Sequence, residues 1–382
     1  MHTAPYTLKD LVRYFLWLGT FGVGGPIALI GYMQRDLVEK RRWLTHEDYI
    51  HGLALAQISP GPVATKLALY FGWLKGRVLG ATLVGIALVL PSFILVTLLA
   101  IFYINNIGVS WVEGAFYGIG AAVVAIILKS AYYLSLITCK KEKLLWAIFL
   151  VSALLSSFFS TLVLWIMLGG GLIAMCVKSP PFFTTQFPES FIAPTLFTGL
   201  HGEAATSTLI KLGLVFAYAG AFVFGSGLAL VPILEPIVVQ EKGWLTSAQF
   251  VDAISIGLIT PGPAFITSAF IGYLVAGFFG ALVAVIAVFL PCYLCIILLA
   301  PAYQKIRNNQ VVRGFVSGIT AAAAGVMVGA SFVIGKGAIR DSTSLCIFLA
   351  TALLVFFVKK IPDPFVIIGA GVVGYLVTTC LP

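Results

Sequence analysis

The stretch "AQISPGPVAT" (Ala56–Thr65) returns 201 residues later as "GLITPGPAFI" (Gly257–Ile266), both times inside a run apolar enough for a lipid bilayer. A proline in a helix interior deletes a backbone donor and clashes with the preceding turn, at about 3 kcal/mol. Two prolines around a glycine stop a helix outright. Whatever this chain folds into therefore contains two helices broken at equivalent places, at a depth where water is scarce.

The duplication extends well beyond the motif. "RRWLTHEDYIHGLALAQISPGP" (Arg41–Pro62) aligns with "KGWLTSAQFVDAISIGLITPGP" (Lys242–Pro263), and "FGVGGP" (Phe21–Pro26) falls on "FVFGSG" (Phe222–Gly227). Past the second motif the offset is 200, so Pro91 meets Pro291 and "EGAFYGIGAA" (Glu113–Ala122) meets "RGFVSGITAA" (Arg313–Ala322). Self-similarity of this kind marks repeated units. It divides the chain into an N-terminal repeat (1–178), a Pro-rich linker (179–208) and a C-terminal repeat (209–382).

Composition sets the solvent. The 382 residues are 60% hydrophobic and 10% charged, where a soluble domain carries about 25% charged residues. Windows such as Leu79–Ile104 and Gly114–Leu128 hold almost no ionisable group, and a span needs roughly 20 apolar residues. The expected class is an all-α polytopic integral membrane protein with about 10 to 12 membrane segments. The net charge of +9 sits in short loops, as the positive-inside rule requires, and not in an arm that would hold nucleic acid. "MHTAPYTLKDLVRYFLWLG" starts polar and runs into the first span, so no cleavable signal peptide is expected. The six cysteines are scattered through apolar segments; Cys292 and Cys295 form a C-x-x-C with no second pair, and packing is the expected role. No cofactor or metal is expected, and the absence of H-E-x-x-H, G-x-S-x-G or a phosphate loop speaks against an enzyme.

Charge placement bears on how the repeats are oriented. The loop after the first segment carries Arg35, Lys40, Arg41 and Arg42, whereas its partner carries only Lys242. The next loop carries Lys75 and Arg77 against none; the third reverses, with Lys305, Arg307 and Arg313 answering an uncharged Asn105–Ser110. The basic side swaps between repeats, the signature of inverted topology. The fourth loop, Lys140, Lys141 and Lys143 against Lys336 and Arg340, does not swap cleanly. Basic loops flank the second segment on both sides; a re-entrant hairpin turning at Ser59–Pro62 resolves that conflict, and a tilted broken span is the alternative.

Backbone that leaves helical geometry at membrane depth persists only where it is buried in protein or lines a polar cavity. Breaks at Gly24, Gly25 and Pro26, at Pro60, Gly61 and Pro62, at Gly225, Ser226 and Gly227, and at Pro261, Gly262 and Pro263 are therefore expected to meet in one substrate site, where half-helix N-termini offer donors to an anion. Gln57, Ser59, Thr65, Thr260, Thr267 and Ser268 flank the breaks as neutral hydrogen-bond donors, and no carboxylate does. Lys66 lies in the first turns after Pro62 with no acidic residue in its span. A bound anion would balance its charge; snorkelling to an interface is the alternative. His51 aligns with Asp252, giving both repeats a titratable group there and two candidates for proton coupling. Glu113, His201 and Glu203 are weaker ones.

These residues resemble a known family. "GGPIALIGYMQRDLVEKRRWLTHEDYIHGLALAQISPGPVATKLALYFGWLKGRVLGATLVGIALVLPSF" (Gly24–Phe93) and "GSGLALVPILEPIVVQEKGWLTSAQFVDAISIGLITPGP" (Gly225–Pro263) look like the two halves of a chromate ion transporter. The resemblance covers nearly the whole chain. It implies a multi-pass protein of the cytoplasmic membrane that exports chromate at the expense of the proton-motive force. A sulfate-like oxyanion is the rival substrate, a passive anion channel the rival mechanism, and a homodimer a further expectation. At Lys66 the chain departs from the pattern, which implies a neutral amide there.

Overall fold

The computed structural model describes residues 4–178, 205–301, 309–358 and 361–380. Most of the linker, with His201 and Glu203, lies outside the described residues, as do Lys305, Arg307, Lys359 and Lys360. No strand occurs among the described residues. In the first repeat the helices are α1 (Leu8–Phe21), α2 (Gly25–Met33, continued by a π-helical turn Gln34–Lys40), α3 (His46–Ile58), α4 (Val63–Asn105), α5 (Ser110–Cys139), α6 (Lys143–Phe158) and α7 (Val163–Lys178). The second repeat has α8 (Ala205–Phe222), α9 (Val231–Glu235, with a π turn Pro236–Glu241), α10 (Ser247–Ile259), α11 (Thr267–Leu299), α12 (Gln310–Ala338), α13 (Ser342–Phe357) and α14 (Asp363–Cys380). Five described helices or helical stretches are long and apolar enough to cross a membrane.

The repeated Trp-Leu-Thr has a local cause. Thr45 and Thr246 each cap the next helix, accepting from the backbone of Asp48 and of Gln249, whose side chains reach back to the cap. These capping boxes satisfy donors that a helix start leaves open.

Both long apolar helices that follow the Pro-Gly-Pro motifs are bent double. In α4 the backbone leaves helical geometry at Gly76 and Arg77, and in α11 at Ala276 and Gly277. Gly72 lies against Gly80, where an added Cβ would sit 2.4 Å from the Gly80 carbonyl oxygen, and Gly272 meets Gly280 at the same 2.4 Å. Residues eight apart along a straight helix are separated by about 12 Å, so the chain reverses at both places. The short arm of α4 also packs back along α3: the Tyr49 and Phe71 rings are 6.3 Å apart, and a Cβ on Gly52 would meet Tyr70 at 2.5 Å. The pair α3 and α4 is thus a helical hairpin with Pro-Gly-Pro at its tip. α1 and α2 make a second one, with Gly22 against Leu29 near its tip and Arg41 returning to the Tyr14 ring at 5.4 Å.

The long arms of α4 and α11 cross at the centre. Thr82 contacts Tyr293 at 2.6 Å and Phe93 contacts Phe278 at 6.1 Å between ring centres; as α4 advances, α11 recedes, so these equivalent helices run antiparallel. Their outer faces carry exposed stripes, Leu79, Leu83, Ile86, Leu90, Ile94 and Leu98 on one and Phe279, Leu282, Ile286, Leu290, Leu294 and Leu298 on the other. Three- and four-residue spacing makes each a single helix face suited to lipid.

The repeats interlock. Helices α6 and α7, whose outer ends are joined by a Lys178–Glu142 ion pair, pack on α12 of the other repeat through Gly170 against Gly318 and Gly325 against Phe149. Reciprocally, α14 packs on α5 through Gly118 against Ala370 and Gly374 against Gly114, and α13 through Phe356 against Tyr132. Apolar surface gains little by burial when lipid is the alternative, so small residues that let backbones touch carry the association.

Candidate functional site

Pro60 pushes Ser59 to extended backbone (φ −99°, ψ 154°) and ends α3. Gly61 then takes φ +102° and its counterpart Gly262 φ +104°, a region that favours glycine. One freed backbone donor at each tip is satisfied across the repeats. Gly61 N–H donates to the Val223 carbonyl at 2.7 Å, and Gly262 N–H donates to the Gly22 carbonyl at 3.1 Å. Each Pro-Gly-Pro thereby docks on the glycine tip of the opposite repeat, and the two bonds are equivalent under exchange of the repeats.

The packing follows the same symmetry. A Cβ on Gly61 would lie 2.5 Å from Cys292 Cβ, and one on Gly262 2.1 Å from Ser92 Oγ. Ser92 and Cys292 occupy matched positions after Pro91 and Pro291. Ser92 Oγ lies 2.7 Å from the Pro261 carbonyl and 3.3 Å from that of Gly19. Neither Ser92 nor Cys292 is legible as a site residue: the matched prolines mark the position, but only the crossing of α4 and α11 carries it to the opposite tip.

Individual side chains differ from a simple ring of donors. Ser59, Thr260, Thr267 and Ser268 each donate to a carbonyl of their own turn, at 2.9, 2.6, 3.0 and 2.7 Å, so their protons are already used. Ser226 caps the short turn Gly227–Leu230 by accepting from Leu228 N–H at 3.3 Å. Gln57 is exposed and does not join the tip. Gly24 has φ +120° before α2, while the surroundings of Gly25 and Pro26 lie outside what is described. Thr65 stands apart: its hydroxyl is buried with no hydrogen-bond partner, an unusual state for a buried polar group.

Lys66 has a partner within the protein. It is fully buried, and its ammonium donates to the Ser59 carbonyl. The charge at the start of α4 is carried back to the C-terminal end of α3, where the helix dipole is negative. Snorkelling is thus ruled out by burial, and a bound anion is not the only balance available.

The proton-coupling candidates part company. His51 is half-buried with Glu47 3.7 Å away. Asp252 accepts a 2.7 Å hydrogen bond from Tyr103 of the other repeat and faces a cavity of about 530 Å³ that also holds Glu113, Glu235, Tyr117 and Arg340. Glu235 is bound by Gln240 at 3.0 Å and Tyr117 by Asp341 at 2.5 Å. The lining has three carboxylates and one guanidinium. At the matched positions the other repeat carries His51, Arg313, Gln34 and Lys140, so the acidic character belongs to one end only. Tyr103, Glu235 and Arg340 were not expected; nothing in the pattern brings them to Asp252.

Interlocked repeats whose broken helices dock tip to tip, in a helical multi-pass membrane protein, suit a membrane transport protein. The chromate transporter family model matches residues 9–175 and 210–375, and the chain belongs to that family. It is 47% identical to the chromate transport protein of Cupriavidus metallidurans, over 98% of this chain and 94% of that one. It is 44% identical to a probable chromate transport protein of Synechococcus elongatus, over 98% and 97%, and 28% identical to a chromate transport protein of Pseudomonas aeruginosa, over 98% and 93%. No solved structure matches it.

Proposed function

We propose that the chain exports chromate across the cytoplasmic membrane as a secondary transporter driven by the proton-motive force, with the anion held where the hairpin tips meet. The observation that carries this reading is the reciprocal pair of tip bonds, Gly61 to Val223 and Gly262 to Gly22. They pair each Pro-Gly-Pro break with the glycine break of the other repeat, and Thr65 and Lys66 follow directly on the first of these tips. Backbone donors from the starts of the half-helices, the Thr65 hydroxyl and the Lys66 ammonium suit a tetrahedral oxyanion.

In this reading the hairpins are re-entrant and the repeats inverted. The antiparallel crossing of α4 and α11 favours it, because equivalent spans of parallel repeats would run the same way. A cysteine at position 41 and one at position 242 are expected to be labelled from opposite faces by a membrane-impermeant thiol reagent. Labelling of both from one side would end the inverted arrangement.

The charge difference between the two ends supports export. Basic loops at one end attract the dianion, and the acidic cavity around Asp252 attracts protons and repels the anion's return. Cells producing the protein should hold less radiolabelled chromate than controls, and an uncoupler should erase the difference. Asp252→Asn should leave chromate binding within about twofold, since position 252 faces the cavity and not the tips, while removing the dependence of transport on a pH gradient. Greater accumulation, or full competition by equimolar sulfate, would point to an oxyanion importer of the sulfate kind.

A further inference from the structure

A second cavity, of about 380 Å³, is lined by Trp17, Arg35, Asp36, Lys40 and Arg41. Asp36 is its one carboxylate, approached by Arg35 at 2.9 Å and Lys40 at 3.8 Å. Arg41 lies over the rings of Tyr14 at 5.4 Å and Trp43 at 4.7 Å. Three cations against one carboxylate leave the cavity electropositive. Under Arg41, the Tyr14 ring is buried, and its hydroxyl interacts with Asp36.

The duplication supplies a control for what the fold itself needs. The matched turn, Pro236–Glu241, keeps the same π-helical form and the same closing bonds: Lys242 to Ile237 and Trp244 to Val238 at 2.9 Å, against Arg41 to Asp36 at 3.0 Å and Trp43 to Leu37 at 2.9 Å. Yet it carries Pro236, Ile237 and Glu241 where the first repeat has Arg35, Asp36 and Lys40. The turn does not require the charges. Two more arginines are held against backbone preference: Arg42 (φ 52°) and Arg77 (φ 51°) stand where the other repeat has Gly243 (φ 60°) and Gly277 (φ 62°). Left-handed backbone disfavours a side chain with Cβ. Lys75 belongs to the same end, lying 4.1 Å over the Tyr6 ring, which itself stacks on Trp43 at 5.4 Å. Beside the cavity, α1 exposes Leu16, Trp17 and Phe21, an apolar edge with a tryptophan of the kind that sits at a membrane interface.

We propose that this cavity binds the phosphate of an anionic phospholipid headgroup, with Arg35, Lys40 and Arg41 around the phosphate oxygens and the acyl chains along Leu16, Trp17 and Phe21. The shared chemistry is that of a phosphate oxyanion. The exposed apolar edge assigns it to a lipid and not to a free ion. Charges serving only to orient the chain during insertion call for no cavity.

The test uses the full-length protein in a zwitterionic detergent. Short-chain phosphatidylglycerol, phosphatidylcholine of equal chain length, and inorganic phosphate are titrated while thermal stability and lipid adducts by native mass spectrometry are followed. Phosphatidylglycerol is expected to bind and raise Tm, the other two to do neither. The double variant R35Q/R41Q should weaken phosphatidylglycerol at least about tenfold, and K40Q alone about fivefold. Lys40 has a side chain 65% exposed, so K40Q reports even if the double variant fails to fold. K242Q, at the position matched to Arg41, should change nothing. Unaltered phosphatidylglycerol affinity in K40Q or in a folded R35Q/R41Q overturns the proposal. An equal response to inorganic phosphate overturns the assignment to lipid.

Discussion

Lys66→Met is expected to weaken chromate binding and transport by at least tenfold while leaving the protein folded. Lys66 is fully buried with its amine on the Ser59 carbonyl, so a bound dianion would pair with a desolvated ammonium beside the Pro-Gly-Pro tip. Removing one partner of a buried charge pair costs about 2–5 kcal/mol, and each 1.4 kcal/mol is a factor of about ten. Protein level should hold, because methionine keeps the stem's packing and takes a costly charge out of the interior. Lys66→Gln separates two roles for the residue. Glutamine keeps a donor for the Ser59 carbonyl but not the charge, so partial transport in Gln and none in Met assigns part of the effect to shaping the tip. Equal, severe losses in both assign it to charge. Transport by Lys66→Met at the parent rate would leave the anion to helix ends and Thr65 alone.

Gly61→Ala and Gly262→Ala are expected to be strongly damaging single-methyl additions. Both positions have φ above +100°, at roughly 1–2 kcal/mol for an L side chain. The new methyl would also stand 2.5 Å from Cys292 Cβ in one case and 2.1 Å from Ser92 Oγ in the other, adding about 1–3 kcal/mol of overpacking. Transport should be lost and the melting temperature should fall. Gly31→Ala is the control, since it lies within α2 and a Cβ there meets nothing within 4 Å. Cys292→Gly should restore part of the stability of Gly61→Ala, because it removes the clash and leaves the backbone strain. A Gly61→Ala protein as stable and active as Gly31→Ala would mean that the tips do not pack as described.

Much of this protein is written in local pattern. Hydrophobic runs with few charges specify membrane helices because the bilayer is a uniform solvent that admits little else. The positions of all four breaks follow from proline's missing donor and glycine's freedom, and the two Trp-Leu-Thr caps from a threonine three residues ahead of Asp48 or Gln249. The duplication, visible as a fixed offset, carries over into reciprocal bonds because the Pro-Gly-Pro tip of each copy docks on the glycine tip of the other.

What depended on long-range packing could not be read in this way. The reversals at Gly76–Arg77 and Ala276–Gly277 lie inside continuous apolar helices, where hydrophobicity carries no direction. The exchange of α6 and α7 onto α12, and of α13 and α14 onto α5, is decided by where small residues on remote helices let backbones touch. The hydroxyls around the breaks were expected as anion donors from their type. Tertiary structure instead spends most of them on their own turns, leaves Thr65 unpartnered and turns Lys66 toward Ser59. The cavity around Asp252 draws on α4, α5, α9, α10, α12 and Arg340. Sequence determined which residues could carry charge or break a helix, since those are properties of single residues and short spacings. Only the folded chain decided which of them face one another, because that is set by the crossing of helices more than a hundred residues apart.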